Sequence, residues 1–559
     1  MAPLADRMLD LIQKALNGRL FHEMIAACLL VVAIHVFRVR YPAFTMRLAQ
    51  AADGVAERPW KGILLSAALP LVIRLVLLPI LPTPEFRVHD EFGHRLVADT
   101  LLHGRLANPP LLFREHFEAI YILQDPTYAS IYPVGNGAVL ALGTLLGHPW
   151  IGVWIAMGAM FAAICWMLYA FLPASFALLG GLMSGLLLGT TDWMNTYFGG
   201  ALVGAGGALI FGALARLIQT GKARYGFILA VGWSMILLAR PFEAAILLGF
   251  GCLLLLLQII RGGFRSIYSF RGAAATGFGV FLCTGGFTVL HNLRVTGDPR
   301  LTPYGQSRVQ YGVPQSFWGQ AIIPEPPMPF NDLRMMYASQ LAMRRNLDRL
   351  ESWIARPFTE LKLLWQFFLG YPAIIPFVIG FVAVCKRQPA LIAITSTGFA
   401  ASLFYGYFLV HYFAAYTAII VLMIASGVQI LWNVQGRGSF VARRITTFCV
   451  IWCSFVPLRY VDASTLAGEQ VSRPHHPRTT IARALEKLPG QHLIFVPQEQ
   501  YSREWVYNDA DLNDSKIVWA RTLGYAKDSA LRQHFSASRA WRLSGDEWHP
   551  QLDSYAPAP

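Results

Sequence analysis

Residues 62–106 read GILLSAALPLVIRLVLLPILPTPEFRVHDEFGHRLVADTLLHGRL. The first part, 62–82, carries a single charge, Arg74, and is long enough for a helix to cross a bilayer, which takes about 20 apolar residues. His89-Asp90-Glu91 follows directly, and then a helical pattern with Phe92, Leu96 and Thr100 on one face, Val97 and Leu101 beside them, and a stop at Gly104. The spacing predicts two carboxylates in the first turn of a helix lying on the membrane surface. Asp is a favoured N-cap. A helix N-terminus also stabilises an anion, so a capping Asp90 stays ionised and is able to take a proton or bind a cation.

The rest of the chain agrees with a membrane setting. It has 559 residues, 55% of them hydrophobic and only 14% charged, against roughly 25% charged in a soluble domain. Mean hydropathy is +0.45. Disordered, coiled-coil, collagen-like and ordinary soluble classes are excluded. Apolar blocks at about 151–171, 176–190, 198–218, 225–240, 243–260, 272–291, 364–385, 389–408, 411–432 and 445–460 follow 62–82, giving eleven spans. A further block, 21–37, either crosses the bilayer as a twelfth or lies at its surface.

Charge fixes the orientation. Arg38, Arg40, Arg47, Arg58 and Lys61 precede the first core span; Arg216, Lys222 and Arg224, then Arg261, Arg265 and Arg271, Lys386 and Arg387, and Arg437, Arg443 and Arg444 occupy later connections. With eleven spans all of these fall on one side, the cytoplasmic side by the positive-inside rule. The block 131–147 is short, and counting it as a span would invert every later loop, so it reads as a helix in or dipping into the interface. The outer face receives 83–150, 191–197, 292–363 and the tail from 461. The net charge of +14 is not a nucleic-acid signal: the tail holds 11 Lys+Arg and 12 Asp+Glu, so the excess resides in the membrane part.

The expected organisation is thus an N-terminal segment 1–61, a transmembrane unit 62–460 and a C-terminal α/β unit 461–559. The tail shows a helix pattern at 478–488, strands at His492–Pro497 and Lys516–Ala520, a helix at 528–535 and a strand near Ala540–Leu543. The first twenty residues read as an amphipathic helix rather than a cleaved signal peptide. All seven cysteines lie in or beside apolar segments with no CxxC pair, which argues against a disulfide framework or zinc site.

Polar residues inside or beside membrane spans are the informative ones, and they gather on the outer face. Besides Asp90 and Glu91 these are His116 and Glu118, then Asp125-Pro126-Thr127-Tyr128, in the first loop; Asp192 in TTDWMNTYFGG; Arg240 and Glu243; His291 and Arg294 with Tyr304; and His411-Tyr412 below Tyr405 and Tyr407. Each has an ordinary explanation by itself: an interfacial belt, a cap, a local ion pair. Together they offer carboxylates, cations and histidines beside a large apolar body. That combination suits a lipid-linked anionic substrate, with a cation for a phosphate and a carboxylate to deprotonate a hydroxyl. There is no GxxxxGK[ST], GxSxG or HExxH.

The acidic pair directly after the first core span resembles the GT-C superfamily of integral-membrane glycosyltransferases, in particular the protein O-mannosyltransferases (glycosyltransferase family 39) and the bacterial aminoarabinose lipid A transferases. HDEFGHRLVADTLLHGRLANPP, PTYASIYPVGNGAVLALGTLLGHPW, TYFGG, LLARPFE, HNLRVTGDPRLTPY and EWVYNDADLNDSKIVWAR look like a bacterial group of such transferases, covering most of 62–555. The resemblance implies a GT-C-like polytopic fold and a polyprenyl-phosphate sugar donor. It also implies inverting transfer to a lipid, glycan or protein acceptor on the non-cytoplasmic face, in a bacterial inner membrane. Asp90 matches the family's first-loop acidic residue, the candidate base or acceptor-positioning group, and Glu91, the second residue of the pair, is the other catalytic candidate; Asp192 is a looser match, able to share a divalent cation with Asp90. Arg240 is the candidate for the lipid phosphate on chemical grounds, with Arg294, His291, His411, His116, Glu118 and Tyr128 as further binding candidates. The chain lacks the large mid-chain lumenal insertion of protein mannosyltransferases, which puts a protein acceptor in doubt. Rival readings are a lipid-linked-substrate transporter or flippase, an O-antigen polymerase or ligase, and a non-catalytic scaffold. The one-sided placement of polar groups disfavours alternating access.

Overall fold

The computed structural model describes residues 19–262, 271–457, 476–497, 504–546 and 549–555. The reading of the first twenty residues as an amphipathic helix and the charge of Arg265 fall almost wholly outside these. Every apolar block of the sequence forms helix. Among the described residues six helices are long and apolar enough to cross a membrane: His22–Arg40, Pro59–Val76, Pro149–Leu168, Ala201–Thr220, Arg271–Thr296 and Val410–Trp432. Five more apolar helices are shorter, at Val134–Leu145, Ala174–Leu188, Ala223–Leu237, Pro241–Leu253 and Pro389–Ser402. The chain is a polytopic integral membrane protein.

Proline sets several helix starts, because its missing N–H has no partner there in any case: Pro59, Pro149 and Pro389 each open a helix. The helices at Val410–Trp432, Pro149–Leu168 and Ala201–Thr220 are mostly buried by protein, whereas Arg271–Thr296 and His22–Arg40 are mostly not. Their side chains, with Met157, Phe161, Ile164 and Ile419 fully enclosed, make the main core. Ile374–Arg387 and Thr417–Trp432 approach closely where Gly380 meets the backbone of Met423 and Gly427 meets that of Pro376. A Cβ on either glycine would overlap its neighbour's backbone.

Two elements differ from the sequence expectation, and a third, the short block 131–147, agrees with it. The block 364–385 is not one straight span: Leu350–Leu369 and Ile374–Arg387 meet at 109°, with Gly370 at φ 51 in the break. The block 62–82 stays helical only to Val76, and Pro79 and Pro82 follow. There Arg74, fully buried, turns back to cap the chain, donating to the carbonyls of Leu81 (2.7 Å) and Pro82 (3.0 Å) and to Asn195 Oδ1 (3.0 Å). The charge inside the first span is therefore a structural tie. The helix Val134–Leu145 has 12 residues, about 18 Å at 1.5 Å per residue, short of the roughly 30 Å hydrocarbon layer. The N-terminal block forms the helix Arg19–Arg40, fastened to Ser439–Cys453 by the Trp452 indole N–H donating to Glu23 (3.0 Å).

The outer loop pairs two short strands, β1 (Ile122–Leu123) and β2 (Ala129–Ser130), antiparallel. The tail builds a four-stranded sheet from β3 (His492–Val496), β4 (Ile517–Arg521), β5 (Arg539–Gly545) and β6 (Pro550–Ser554), in the order β4-β3-β5-β6. β3 runs parallel to β4 and β5, while β6 is an antiparallel edge. Parallel strands are covered on both faces, and β3 is buried throughout. One face of this α/β module packs on the helix His89–Leu102, joining Phe92 and Leu96 to Leu493, Phe495 and Tyr507 in one apolar cluster.

Candidate active site

The helix His89–Leu102 starts after Val88. Its cap comes from Glu91, not Asp90. The buried Glu91 carboxylate accepts the backbone N–H of Arg87 (2.7 Å), Val88 (3.2 Å) and Tyr197 (3.1 Å). Burial raises the Glu91 carboxyl above its usual range, and the three backbone donors oppose that. The expected capping role thus passes to Glu91, which is enclosed and does not line a cavity. Asp90 is left to point elsewhere.

It points into a cavity of about 730 Å³, within the usual range of small-molecule sites. Asp90 Oδ1 accepts the Tyr132 hydroxyl, and burial followed by the nearby Asp90 charge keeps that phenol protonated, well above its ordinary value. The Tyr132 ring reaches this place because residue 93 is glycine; a Cβ there would lie 2.7 Å from it. His89 Nε2 stands 3.9 Å from Asp90 Oδ2.

Another wall carries Arg240, at the break between Ala223–Leu237 and Pro241–Gly262. Its guanidinium lies 4.1 Å over the Tyr412 ring and 3.3 Å from Glu243 Oε1. His291, His411, Tyr304, Tyr405 and Tyr407 also line the space. The cavity therefore joins Asp90 on one wall, the Arg240–Glu243 ion pair on another and a ring of aromatic hydroxyls. Aromatic faces pack on sugar C–H surfaces, while a guanidinium suits a phosphate.

The other expected residues stand apart from it. Asp192 begins the short helix Asp192–Asn195 and is exposed; it does not line the cavity with Asp90 and Arg240 as expected. Arg294, three residues beyond His291, is exposed and does not line the cavity. His116 and Tyr128 face the C-terminal module: His116 Nε2 is 3.3 Å from Asp528, and the Tyr128 hydroxyl donates to the carbonyl of Asn508 at 3.1 Å. Glu118 lies near Arg521, which spans Asp332 with contacts of 2.6 and 3.0 Å. Burial pushes the Glu118 carboxyl up to about 7, against the pull of Arg521.

Sequence reading missed His94. It lines the cavity, is 5% exposed, and its Nδ1 has no hydrogen-bond partner. Burial lowers it to about 4; Asp90 opposes this and Arg240 adds to it, so the imidazole is neutral at physiological pH and senses both walls. The available signal was its position four residues after Asp90, on the same helix face. Among the described residues no three His, Cys, Asp or Glu side chains converge as a metal site. With Asp192 outside the cavity, the pair expected to share a divalent cation does not fit one.

No family model matches the chain, and no curated protein matches it in sequence. Among solved structures it is similar to the Archaeoglobus fulgidus oligosaccharyltransferase with a tethered acceptor peptide. The identity is 9% and the TM-score 0.48, covering 86% of this chain and 69% of that one. It is also similar to ArnT from Cupriavidus metallidurans. The apo state gives 12% identity and TM-score 0.49 over 85% of this chain and 92% of that one. The form bound to undecaprenyl phosphate gives 12% and 0.49 over 87% and 96%.

Proposed function

We propose that this chain is a GT-C-like membrane glycosyltransferase. It moves a sugar from a polyprenyl-phosphate donor to an acceptor hydroxyl on the non-cytoplasmic face, with inversion, in a bacterial inner membrane. The observation that carries the reading is that Asp90 and Arg240 both line one aromatic-walled cavity. The acidic residue after the first core span, which the sequence shares with that superfamily, supports it.

The chemistry follows from the two walls. The donor phosphate rests against the Arg240 guanidinium, and the sugar lies among the tyrosines. The acceptor hydroxyl meets Asp90, whose carboxylate sits in the first turn of its helix and accepts the Tyr132 hydroxyl. As the acceptor oxygen bonds to C1, its proton passes to Asp90. The C1–O bond to phosphate breaks, and the polyprenyl phosphate leaves with the electron pair, its charge held by Arg240. A phosphate leaving group needs no proton, so no acid partner is required. His94, being neutral, leaves the cationic role to Arg240 and is free to hydrogen-bond a sugar hydroxyl.

The test is turnover of synthetic undecaprenyl-phosphate sugars by purified protein, read as released undecaprenyl phosphate by mass spectrometry. Asp90→Asn is expected to reduce transfer by about 10²- to 10⁴-fold with folding and insertion unchanged. An Asp90→Asn protein as active as the wild type overturns the reading.

A further inference from the structure

A base that takes a proton in each cycle must release it before the next. One Asp90 oxygen, Oδ1, is taken by the Tyr132 hydroxyl inside the aromatic-walled cavity, which leaves Oδ2 as the oxygen from which the proton departs. The route out lies through the residue before it. His89 also lines the cavity. Its Nε2 faces Asp90 Oδ2 at 3.9 Å, a gap that one water spans, and its Nδ1 lies 3.4 Å from Glu504 Oε1. Glu504 belongs to the C-terminal module, 415 residues along the chain. The His89 ring is steadied edge-on by Tyr121, with centroids 5.2 Å apart, and the side chains of His89 and Glu504 are both largely but not wholly enclosed. A carboxylate on one imidazole nitrogen orients the ring and stabilises its protonated form while the other nitrogen receives a proton.

The module is held to this spot by several independent contacts. Arg95 pairs with Asp509 at 2.7 Å, the Ala510 N–H donates to Asp99 at 2.6 Å, and the Tyr507 hydroxyl donates to the carbonyl of Ile120 at 3.1 Å. Arg478 is buried between the rings of Phe92 and Trp519, at 4.6 and 4.7 Å. The helix that carries Asp90 and the segment that carries Glu504 are thereby fixed together.

We propose that the C-terminal module completes the site by providing a proton exit, Asp90 to His89 to Glu504, for the transferase reaction. The inference rests on Asp90 being the base. After transfer, the Asp90 proton moves to His89 Nε2, leaving the carboxylate anionic again. The imidazolium, paired with Glu504, gives its Nδ1 proton through that carboxylate to outer water, and exchange of the remaining ring proton from Nε2 to Nδ1 through water restores the starting neutral tautomer. No bond other than O–H and N–H changes, and no oxidant or reductant is involved. Glu504 touches neither substrate nor the reacting carbon; it is a positioning and relay residue.

Full-length protein in lipid nanodiscs tests this, with the undecaprenyl-phosphate sugar that the wild type turns over as donor. With enzyme in excess, Glu504→Gln is expected to complete the first turnover at the wild-type rate, whereas His89→Phe, which alters the cavity wall, is read in steady state. In steady state both should fall by about tenfold or more, and the double variant should be no slower than either single one. Glu504→Asp should recover much of the loss. A Glu504→Gln protein with wild-type steady-state turnover overturns the relay. So does an equal loss in both regimes that Glu504→Asp does not repair, because that is what simple displacement of the module produces. Failure of the transferase reading is distinct: it appears as an active Asp90→Asn, or as a wild type that turns over none of the donors.

Discussion

Acid should weaken this protein in part through one buried histidine. His94 is 5% exposed in the cavity wall, and burial lowers its imidazole from 6.5 to about 4. As pH falls, the unfolded chain takes up this proton first. The contribution to stability is therefore full above pH 6.5 and is lost as pH drops toward 4. The gap between 6.5 and about 4 corresponds to about 3 kcal/mol, at about 1.4 kcal/mol for each pH unit. Glu118 works the other way in the same window, its carboxyl being raised to about 7, and burial also lowers the His492 and His148 imidazoles, so the wild type alone mixes several effects. His94→Gln removes one. The assay is thermal unfolding of purified wild type and His94→Gln, followed by tryptophan fluorescence in nanodiscs from pH 7.5 to 4. The wild type should lose more Tm than the variant, with the difference growing below pH 6.5. A difference that stays constant across that range refutes a buried neutral His94.

Three further outcomes follow from the same geometry. Arg240→Ala should weaken binding of undecaprenyl phosphate by about 10- to 100-fold, the loss of a charge-assisted contact, as measured by native mass-spectrometric titration. Asp192→Asn should leave turnover unchanged, since the residue is exposed and outside the cavity. Glu118→Gln should raise Tm at pH 8, because above about pH 7 the folded chain carries that carboxylate charged against its burial; the gain should vanish as pH falls to 4.5, where both folded and unfolded forms bind the proton.

What was legible in the sequence is what hydrophobic length and periodicity encode. Each apolar block became a helix, and the tail's β3, β4 and β5 lie where alternation and β-branched residues placed them. β6 was missed because Pro550-Gln-Leu-Asp-Ser shows little apolar alternation; as an edge strand it needs only one bonded side. The bend before Ile374–Arg387 was missed because Gly370 interrupts backbone direction without interrupting hydropathy. At the site, chain position found Asp90, Arg240, His291 and His411, since helix ends on one side of a membrane share a layer. It did not divide labour between Asp90 and Glu91, because adjacent residues in a first turn point in different directions and only the loop backbone decides which one caps. Nor did it separate His116 and Tyr128, which fasten the module, from cavity residues of the same loop. Those contacts cross some four hundred residues of chain and leave no local pattern.

The central claim is that Asp90 is the base of a transfer whose lipid phosphate Arg240 holds. It is tested most directly by purifying wild type and Asp90→Asn in nanodiscs, supplying each with the same undecaprenyl-phosphate sugar, and weighing the bound lipid by native mass spectrometry over time. The wild type should convert its bound donor to undecaprenyl phosphate, while Asp90→Asn should bind the donor and keep it intact. Conversion by Asp90→Asn at the wild-type rate would contradict it.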